Sequence, residues 1–406
     1  MMGSSIELDL HDMANGGEAV GRYQGKTIFV GGAVPGERVK AGVVRDKGSW
    51  ARADLEEVLT PAPARVDPPC SHFAECGGCQ WQYMAYPEQL KWKSAVVAGQ
   101  LRHLGGVDDP EIAAIVAPGR PFEYRNRMTF HVRDGRPALY RHRSKERVPI
   151  SSCLLLVPGL HELYERLGSL AGVDELTLRM GARTGQRAVL IRGTVPEQAA
   201  GWGVPVVRLA GRRFEPAIGP PRIHEEVAGV QFRITASAFF QVNTAGAEAL
   251  VGLVREALRP RPTDTLLDAF AGVGLFAATV GRSAGRVLAI ESDAVAAADL
   301  RHNLREAGVT DHDVVRSRFE EVVAPGRWDL AVCDPPRSGL GEAGVAVLTA
   351  GRPRSIAYVS CDPAGLARDT RLLGEKGYRL AKATPVDLFP QTFHVETVAN
   401  FQGEGK

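Results

Sequence analysis

From Ser5 to about residue 60 apolar and polar side chains alternate in short runs. SIELDL, GKTIFVGG, ERVKAGVVR and SWARADLEEVL carry the pattern, and turns rich in Gly, Pro and charge (ANGG, AVPGE) separate them. A period of two is that of a strand with one buried face, and several short strands packed this tightly predict a small β-barrel. The proline-rich TPAPARVDPP closes the segment and marks a domain boundary. YPEQLKWKSAVVAGQLRHLGG then has helical spacing and a Gly-Gly stop.

Strand-like runs return between residues 117 and 235, in RMTFHV, ELTLRM, RAVLIRG and VQFRIT. After residue 260 the pattern changes again. DTLLDAF, GRVLAIES, DVVRS, WDLAVCDPP, RSIAYVSC and YRLAKATPV are short apolar strands, with Ala- and Leu-rich helical stretches between most of them. That alternation predicts a doubly wound α/β sheet. The expected organisation is a barrel over 1–60, a mixed, mainly β central domain over 61–235 and a Rossmann-like domain over 236–406.

Composition narrows the class. A chain of 406 residues is too long for one ordinary core, and 44% hydrophobic with 24% charged residues is a globular profile. No apolar run is long enough to span a bilayer, and the N-terminus lacks a signal-peptide pattern. A cytoplasmic monomer with no membrane partner is the expectation. In a reducing compartment the six cysteines call for metal, catalysis or burial, not disulfides.

LLDAFAGVGLFA reads as strand, glycine turn and helix, with Asp268 ending the strand and Gly272 and Gly274 in the turn. Glu291 ends the next strand, placed to take both hydroxyls of a ribose. Ala277 occupies the third position of a dinucleotide fingerprint, which leaves NAD open. The D-x-F-x-G-x-G form is typical of S-adenosylmethionine (SAM) enzymes. Asp334 in VCDPPRSG and Cys361 in YVSCDPAG end strands, so both should face the crevice of Asp268 and Glu291. A helix beginning near Pro363 would lower the Cys361 thiol pKa through its dipole, unless Cys361 is only a small buried hydrophobe. Cys333, pointing to the opposite face from Asp334, reads as core. His394 and Glu396 alternate along a terminal strand; Glu396 is a general base or a solvated carboxylate.

CSHFAECGGC sets Cys70, Cys76 and Cys79 within ten residues. It suggests a zinc knuckle completed by His72, or a cluster with a distant fourth ligand. Residues 120–147 hold nine Arg or Lys against three Asp or Glu, interleaved with Tyr124, Phe130 and Tyr140. Arg125, Arg127, Arg141 and Arg143 are candidate phosphate contacts and the aromatics candidate stacking platforms, the alternative being a charged sheet face without a partner.

FFQVN, D-x-F-x-G-x-G, DPPR, SC-x-P-x-x-L-x-R-D and FP-x-T-x-H-V-E occur in one order. Together they resemble the RNA uracil-5-methyltransferases over nearly the whole chain, and residues 1–60 look like a TRAM domain, a β-barrel RNA-binding module. The resemblance implies a SAM enzyme that forms 5-methyluridine. It implies Cys361 as the nucleophile at uracil C6, Glu396 as the base at C5, and Asp334 beside both SAM and the target. Gln241, Phe270 and Glu291 match SAM-site positions, joining Asp268, Gly272, Gly274 and Asp334. The resemblance also supplies Cys153 as the fourth ligand of a [4Fe–4S] cluster, although the residues alone leave iron–sulfur and zinc open. Relatives with both a TRAM domain and a cluster are mostly associated with ribosomal RNA, so 23S rRNA is the expected substrate and tRNA the alternative. A cytosine-5 methyltransferase fits less well, because its cysteine usually follows proline whereas Cys361 follows Ser360. A non-catalytic RNA-binding protein would not need Cys361, Glu396 and Asp334 together.

Overall fold

The computed structural model describes residues 2–211, 213–323 and 326–403. Strands β1 (Ser5–Met13), β2 (Ala19–Tyr23), β3 (Lys26–Gly31), β4 (Arg38–Asp46) and β5 (Trp50–Thr60) close a barrel in the order β1-β2-β3-β5-β4. The alternation becomes burial: Ile6, Leu8, Leu10, Val39, Ala41 and Val43 point inward. Strand β2, AVGRY, is too short to announce itself by periodicity. It forms because it pairs with β1 on one side and β3 on the other, leaving no open edge there. The proline-rich boundary lies against the barrel. Arg65 Nη2 donates to Glu37 Oε2 at 2.8 Å and to the Gly32 carbonyl at 3.0 Å.

Helix α1 (Tyr86–His103) follows. The central sheet comprises β6 (Arg127–Arg133), β7 (Arg136–Tyr140), β8 (Arg147–Pro149), β9 (Val173–Met180), β10 (Arg187–Gly193), β11 (Val206–Ala210) and β12 (Arg213–Ile218). Their order is β12-β11-β10-β9-β6-β7-β8, and α2 (Pro158–Glu165) covers the apolar face through Leu160, Leu163 and Tyr164. On β6 the period of two turns Met128, Phe130 and Val132 into this core. Phe130 is therefore no stacking platform, and Tyr124 is buried as well; of the three aromatics expected to stack, Tyr140 alone is exposed.

The hairpin β13 (Arg222–Val227) and β14 (Val230–Thr235) precedes the expected boundary at 235. Its apolar face, Ile223, Val227, Val230, Phe232 and Ile234, shares a core with Leu250, Phe276 and Leu300 of the last domain. That domain contains α3 (Thr244–Leu258), β15 (Thr265–Ala269), α4 (Leu275–Thr279), β16 (Arg286–Ile290), α5 (Ala294–Glu306), β17 (His312–Val315), β18 (Leu330–Cys333), α6 (Gly341–Ala350), β19 (Ser355–Ser360), α7 (Pro363–Glu375), β20 (Tyr378–Val386) and β21 (Glu396–Gly403). The sheet order is β17-β16-β15-β18-β19-β21-β20. Strand β21 runs antiparallel to both neighbours, and the β15–β19 pairs are parallel. Helices on both faces explain the uninterrupted apolar strands, and every residue of β19 is buried. Helix α1 packs there too, since Val97 and Leu101 share a core with Tyr358, Leu366 and Leu373. No helix among the described residues is long and apolar enough to cross a membrane.

A buried ion pair fastens α1 to the segment between β20 and β21. Lys93 Nζ lies 2.5 Å from Asp387 Oδ1, and both side chains are fully buried. Removing one partner strands a charge in the interior, which costs about 3–5 kcal/mol. Lys93→Met is expected to lose stability of that order, read as a lower chemical-denaturation midpoint, and Lys93→Met/Asp387→Leu is expected to regain most of it. Equal losses in the single and double variants would show that the pair is not the source.

Candidate active site

The turn after β15 is built for close approach of a ligand. Phe270, Gly272 and Gly274 all have positive φ, +63°, +57° and +98°. A Cβ on Gly272 would meet nothing within 4 Å, so glycine is needed there for conformation and the space beside it is open. At Gly274 a Cβ would come within 2.6 Å of Leu300 Cδ1, so the turn also packs closely on α5. Glu291 braces the turn: its Oε2 accepts from Gly272 N–H at 2.8 Å and its Oε1 from Asp293 N–H at 2.6 Å. Asp268 accepts from Ala277 N–H at 2.7 Å. Burial, with the charges of Asp334 and Glu291 adding to it, pushes the Asp268 carboxyl up to about 8. The Phe270 ring packs on Phe319, with centroids 5.2 Å apart.

Asp334 follows β18, and Gln241 Nε2 donates to its Oδ2 at 3.2 Å. Cys361 follows β19, and Glu396 opens β21. The β19–β21 register pairs Ser360 with Thr397. That pair ends the ladder, so Cys361 and Glu396 lie at the same end of it, near enough for the Glu396 charge to act on the thiol. Glu396 is 3% exposed, so it is not a solvated strand carboxylate. Burial raises its pKa well above the usual carboxylate range, the Asp334 charge adds to the rise, and Arg337 opposes it. Burial likewise raises Asp334.

The expected lowering of the Cys361 thiol does not occur. Helix α7 does begin at Pro363, with Asp362 as its N-cap accepting from Gly365 N–H at 2.7 Å. Burial and the neighbouring carboxylates of Glu396 and Asp334 outweigh the helix end and push the thiol up to about 11, against the pull of Arg337. Strand β21 starts at Glu396, so His394 lies before it and the two do not share a strand face. The His394 ring packs on Phe393, centroids 4.3 Å apart, and burial lowers its pKa to about 4. Arg337 is the cation that acts on Cys361, Glu396 and His394, and sequence reading gave it no role. Its signal was its place in DPPR, immediately after the strand-end aspartate and its two prolines.

Residues 327–402, which carry Asp334, Cys361 and Glu396, match the family tRNA (Uracil-5-)-methyltransferase. An RNA methyltransferase of Streptomyces avermitilis is 35% identical, with 100% of each chain covered. The 23S rRNA (uracil(1939)-C(5))-methyltransferase RlmD of Aeromonas hydrophila is 30% identical over 98% of this chain and 96% of its own. The crystal structure of Pyrococcus abyssi tRNA (uracil-54, C5)-methyltransferase with S-adenosyl-L-homocysteine superposes with a TM-score of 0.77 at 25% identity, covering 97% of this chain and 99% of that one. The chain belongs to the RNA uracil-5-methyltransferase family. It is a SAM-dependent enzyme of RNA uracil C5.

A second cluster of chemistry lies in the central domain of this methyltransferase. Cys70, Cys76, Cys79 and Cys153 line one cavity of about 420 Å³, together with Arg125, Arg127 and His72. Among the described residues no three His, Cys, Asp or Glu side chains stand close enough to hold a single metal ion. His72 Nε2 accepts from Ser151 N–H at 3.1 Å, so the lone pair of that nitrogen is already engaged. Burial pushes the Cys79 thiol up to about 12 and raises Cys76 and Cys153.

The four arginines singled out for RNA separate into two pairs. Arg125 and Arg127 turn into the cysteine cavity, and the buried Nε of each has no hydrogen-bond partner. Arg141 and Arg143 sit on the loop after β7. Arg141 pairs with Glu146 at 2.9 Å, and Arg143 pairs with the barrel residue Glu18 at 2.7 Å. The same loop presents exposed His142 and Lys145.

Proposed function

We propose that the enzyme methylates uridine in 23S rRNA through a covalent adduct. The observation that supports the mechanism is the end of the β19–β21 ladder at Ser360–Thr397, beside Cys361 and Glu396. The Cys361 thiol gives its proton to the neighbouring Asp334 carboxylate, and sulfur bonds to uracil C6. The C5=C6 π electrons move onto O4 as an enolate, which makes C5 nucleophilic. Gln241, Phe270, Gly272, Gly274, Glu291, Asp268 and Asp334 would hold SAM, which would supply the methyl group that C5 takes as S-adenosylhomocysteine leaves. Glu396, in its carboxylate form, removes the C5 proton, the C5=C6 bond re-forms and the thiolate leaves. A raised carboxyl pKa suits this role, because a base with higher proton affinity is stronger against a carbon acid. The favoured substrate follows the 30% identity with the Aeromonas 23S rRNA enzyme over nearly the whole chain. Isotope-labelled methyl transfer should mark 23S rRNA and not tRNA; labelling of tRNA alone would overturn that choice.

The four cysteines fit a [4Fe–4S] cluster. Four thiolates are the donor set such a cluster takes, and it needs them further apart than a single ion does. Arg125 and Arg127 among the lining residues suit an anionic occupant. Cys70, Cys76, Cys79 and Cys153 would hold the cluster, whose role would be to tie the two segments together. Anaerobically purified protein is expected to be brown and to carry about four iron atoms per chain. Colourless, iron-free protein would refute the cluster and leave the methyl-transfer reading untouched.

A further inference from the structure

The segment between β20 and β21 leads directly into Glu396, and the central region grips it almost residue by residue. The Asp387 carboxylate takes Lys93 Nζ at 2.5 Å and the Tyr86 hydroxyl at 2.8 Å. The Phe389 carbonyl takes Lys93 Nζ at 3.0 Å, and the Pro390 carbonyl takes the Tyr124 hydroxyl at 3.1 Å. The densest grip is on Gln391. Its carbonyl accepts from both Gln80 N–H and Trp81 N–H, each at 3.0 Å. Its own N–H donates to Gln89 Oε1, and its Oε1 accepts from Gln89 Nε2, each at 3.0 Å.

Gln391 is 4% exposed and adopts φ +67°. A long side chain rarely takes that backbone region and keeps it only where its surroundings over-determine it. Here the surroundings are the two peptide groups that directly follow Cys79. The same cysteine loop is tied at its other end to the basic loop, because Gly77 N–H donates to the Tyr140 carbonyl at 2.8 Å and Cys76 bridges to Arg141. One residue thus joins the loop of Cys76 and Cys79 to the strand start that carries Glu396.

We propose that Gln391 is a positioning residue that transmits the state of the cysteine loop to Glu396. The base is held beside Cys361 only while that loop is intact. This rests on the reading of Glu396 as the C5 base. Cys361 lies outside the grip, on the β19–α7 connection, so loosening Gln391 misplaces the base and spares the nucleophile.

The test uses the full chain in wild-type form, as Gln391→Gly and as Cys79→Ser. Glycine takes φ +67° without strain, so Gln391→Gly keeps a permitted backbone while losing the side-chain lock. Hydrogen exchange across 387–396 is expected to be about tenfold faster in both variants, with exchange in 363–375 unchanged. Should Cys79→Ser fail to fold, iron chelation of the wild-type chain replaces it. Turnover of Gln391→Gly is expected to fall roughly 10–100-fold while adduct formation on RNA persists. Wild-type exchange in both perturbed forms, or turnover and adduct formation falling in equal proportion, would overturn the proposal. If the wild-type chain makes no 5-methyluridine, the functional reading fails, and the exchange comparison still decides the coupling.

Discussion

Cys361→Ala is expected to abolish methyl transfer to RNA, a loss on the order of 10⁴-fold or more. Uracil C5 is a poor nucleophile until sulfur adds at C6, and no other described cysteine can take its place beside Glu396, since Cys333 is fully buried in the core. The fold should survive, because Cys361 is only half-buried and alanine leaves no polar group stranded. SAM affinity, measured by calorimetry, should stay near wild type. In the wild-type enzyme the rate of adduct formation should climb with pH. The thiol is held up to about 11, so its reactive thiolate grows about tenfold per pH unit below that value. Measurable turnover in the alanine variant, or a flat profile between pH 6 and 9, would remove Cys361 from the mechanism.

Glu396→Gln is expected to trap the reaction half-way. The amide is nearly isosteric in a closely packed site and cannot accept the C5 proton, so turnover should fall by about 10²–10⁴-fold. Adduct formation should not slow. The Glu396 charge is one of the influences that raise the Cys361 thiol, and neutralising it eases formation of the thiolate. The two effects together predict a methylated protein–RNA adduct that survives denaturation and accumulates in proportion to enzyme. Gel mobility of labelled RNA under denaturing conditions reads it directly. An unretarded RNA band, or undiminished turnover, would count against Glu396 as the base. Arg337→Met offers a related contrast: with that cation gone, both the thiol and Glu396 should titrate higher, so the acid limb of turnover should move to higher pH.

Much of the molecule was legible before its structure. Period-two alternation located four of the five barrel strands, and apolar runs separated by helical stretches located the doubly wound sheet. These readings work because strand period, helix stops and glycine turns are local properties of a few consecutive residues. Gly272 and Gly274 were identifiable for that reason, and their positive φ values are the local feature they serve. The family's motif order likewise needed nothing beyond the order of residues along the chain.

What distant segments do to one another could not be read that way. Arg125 and Arg127 looked like surface cations, because a charge count has no direction; only the packed sheet turns them into the cysteine cavity. Tyr124 and Phe130 looked like stacking platforms until both proved to be buried in the core of the central domain. The thiol of Cys361 looked depressed by its helix, and instead rises, because burial and two carboxylates from other strands outweigh one helix end. The hairpin 222–235 packs on a core it precedes in the chain. By itself the sequence determined many of the elements, the family and the candidate chemistry. The tertiary structure decided which candidates meet, since register, burial and electrostatic sign depend on residues far apart along the chain.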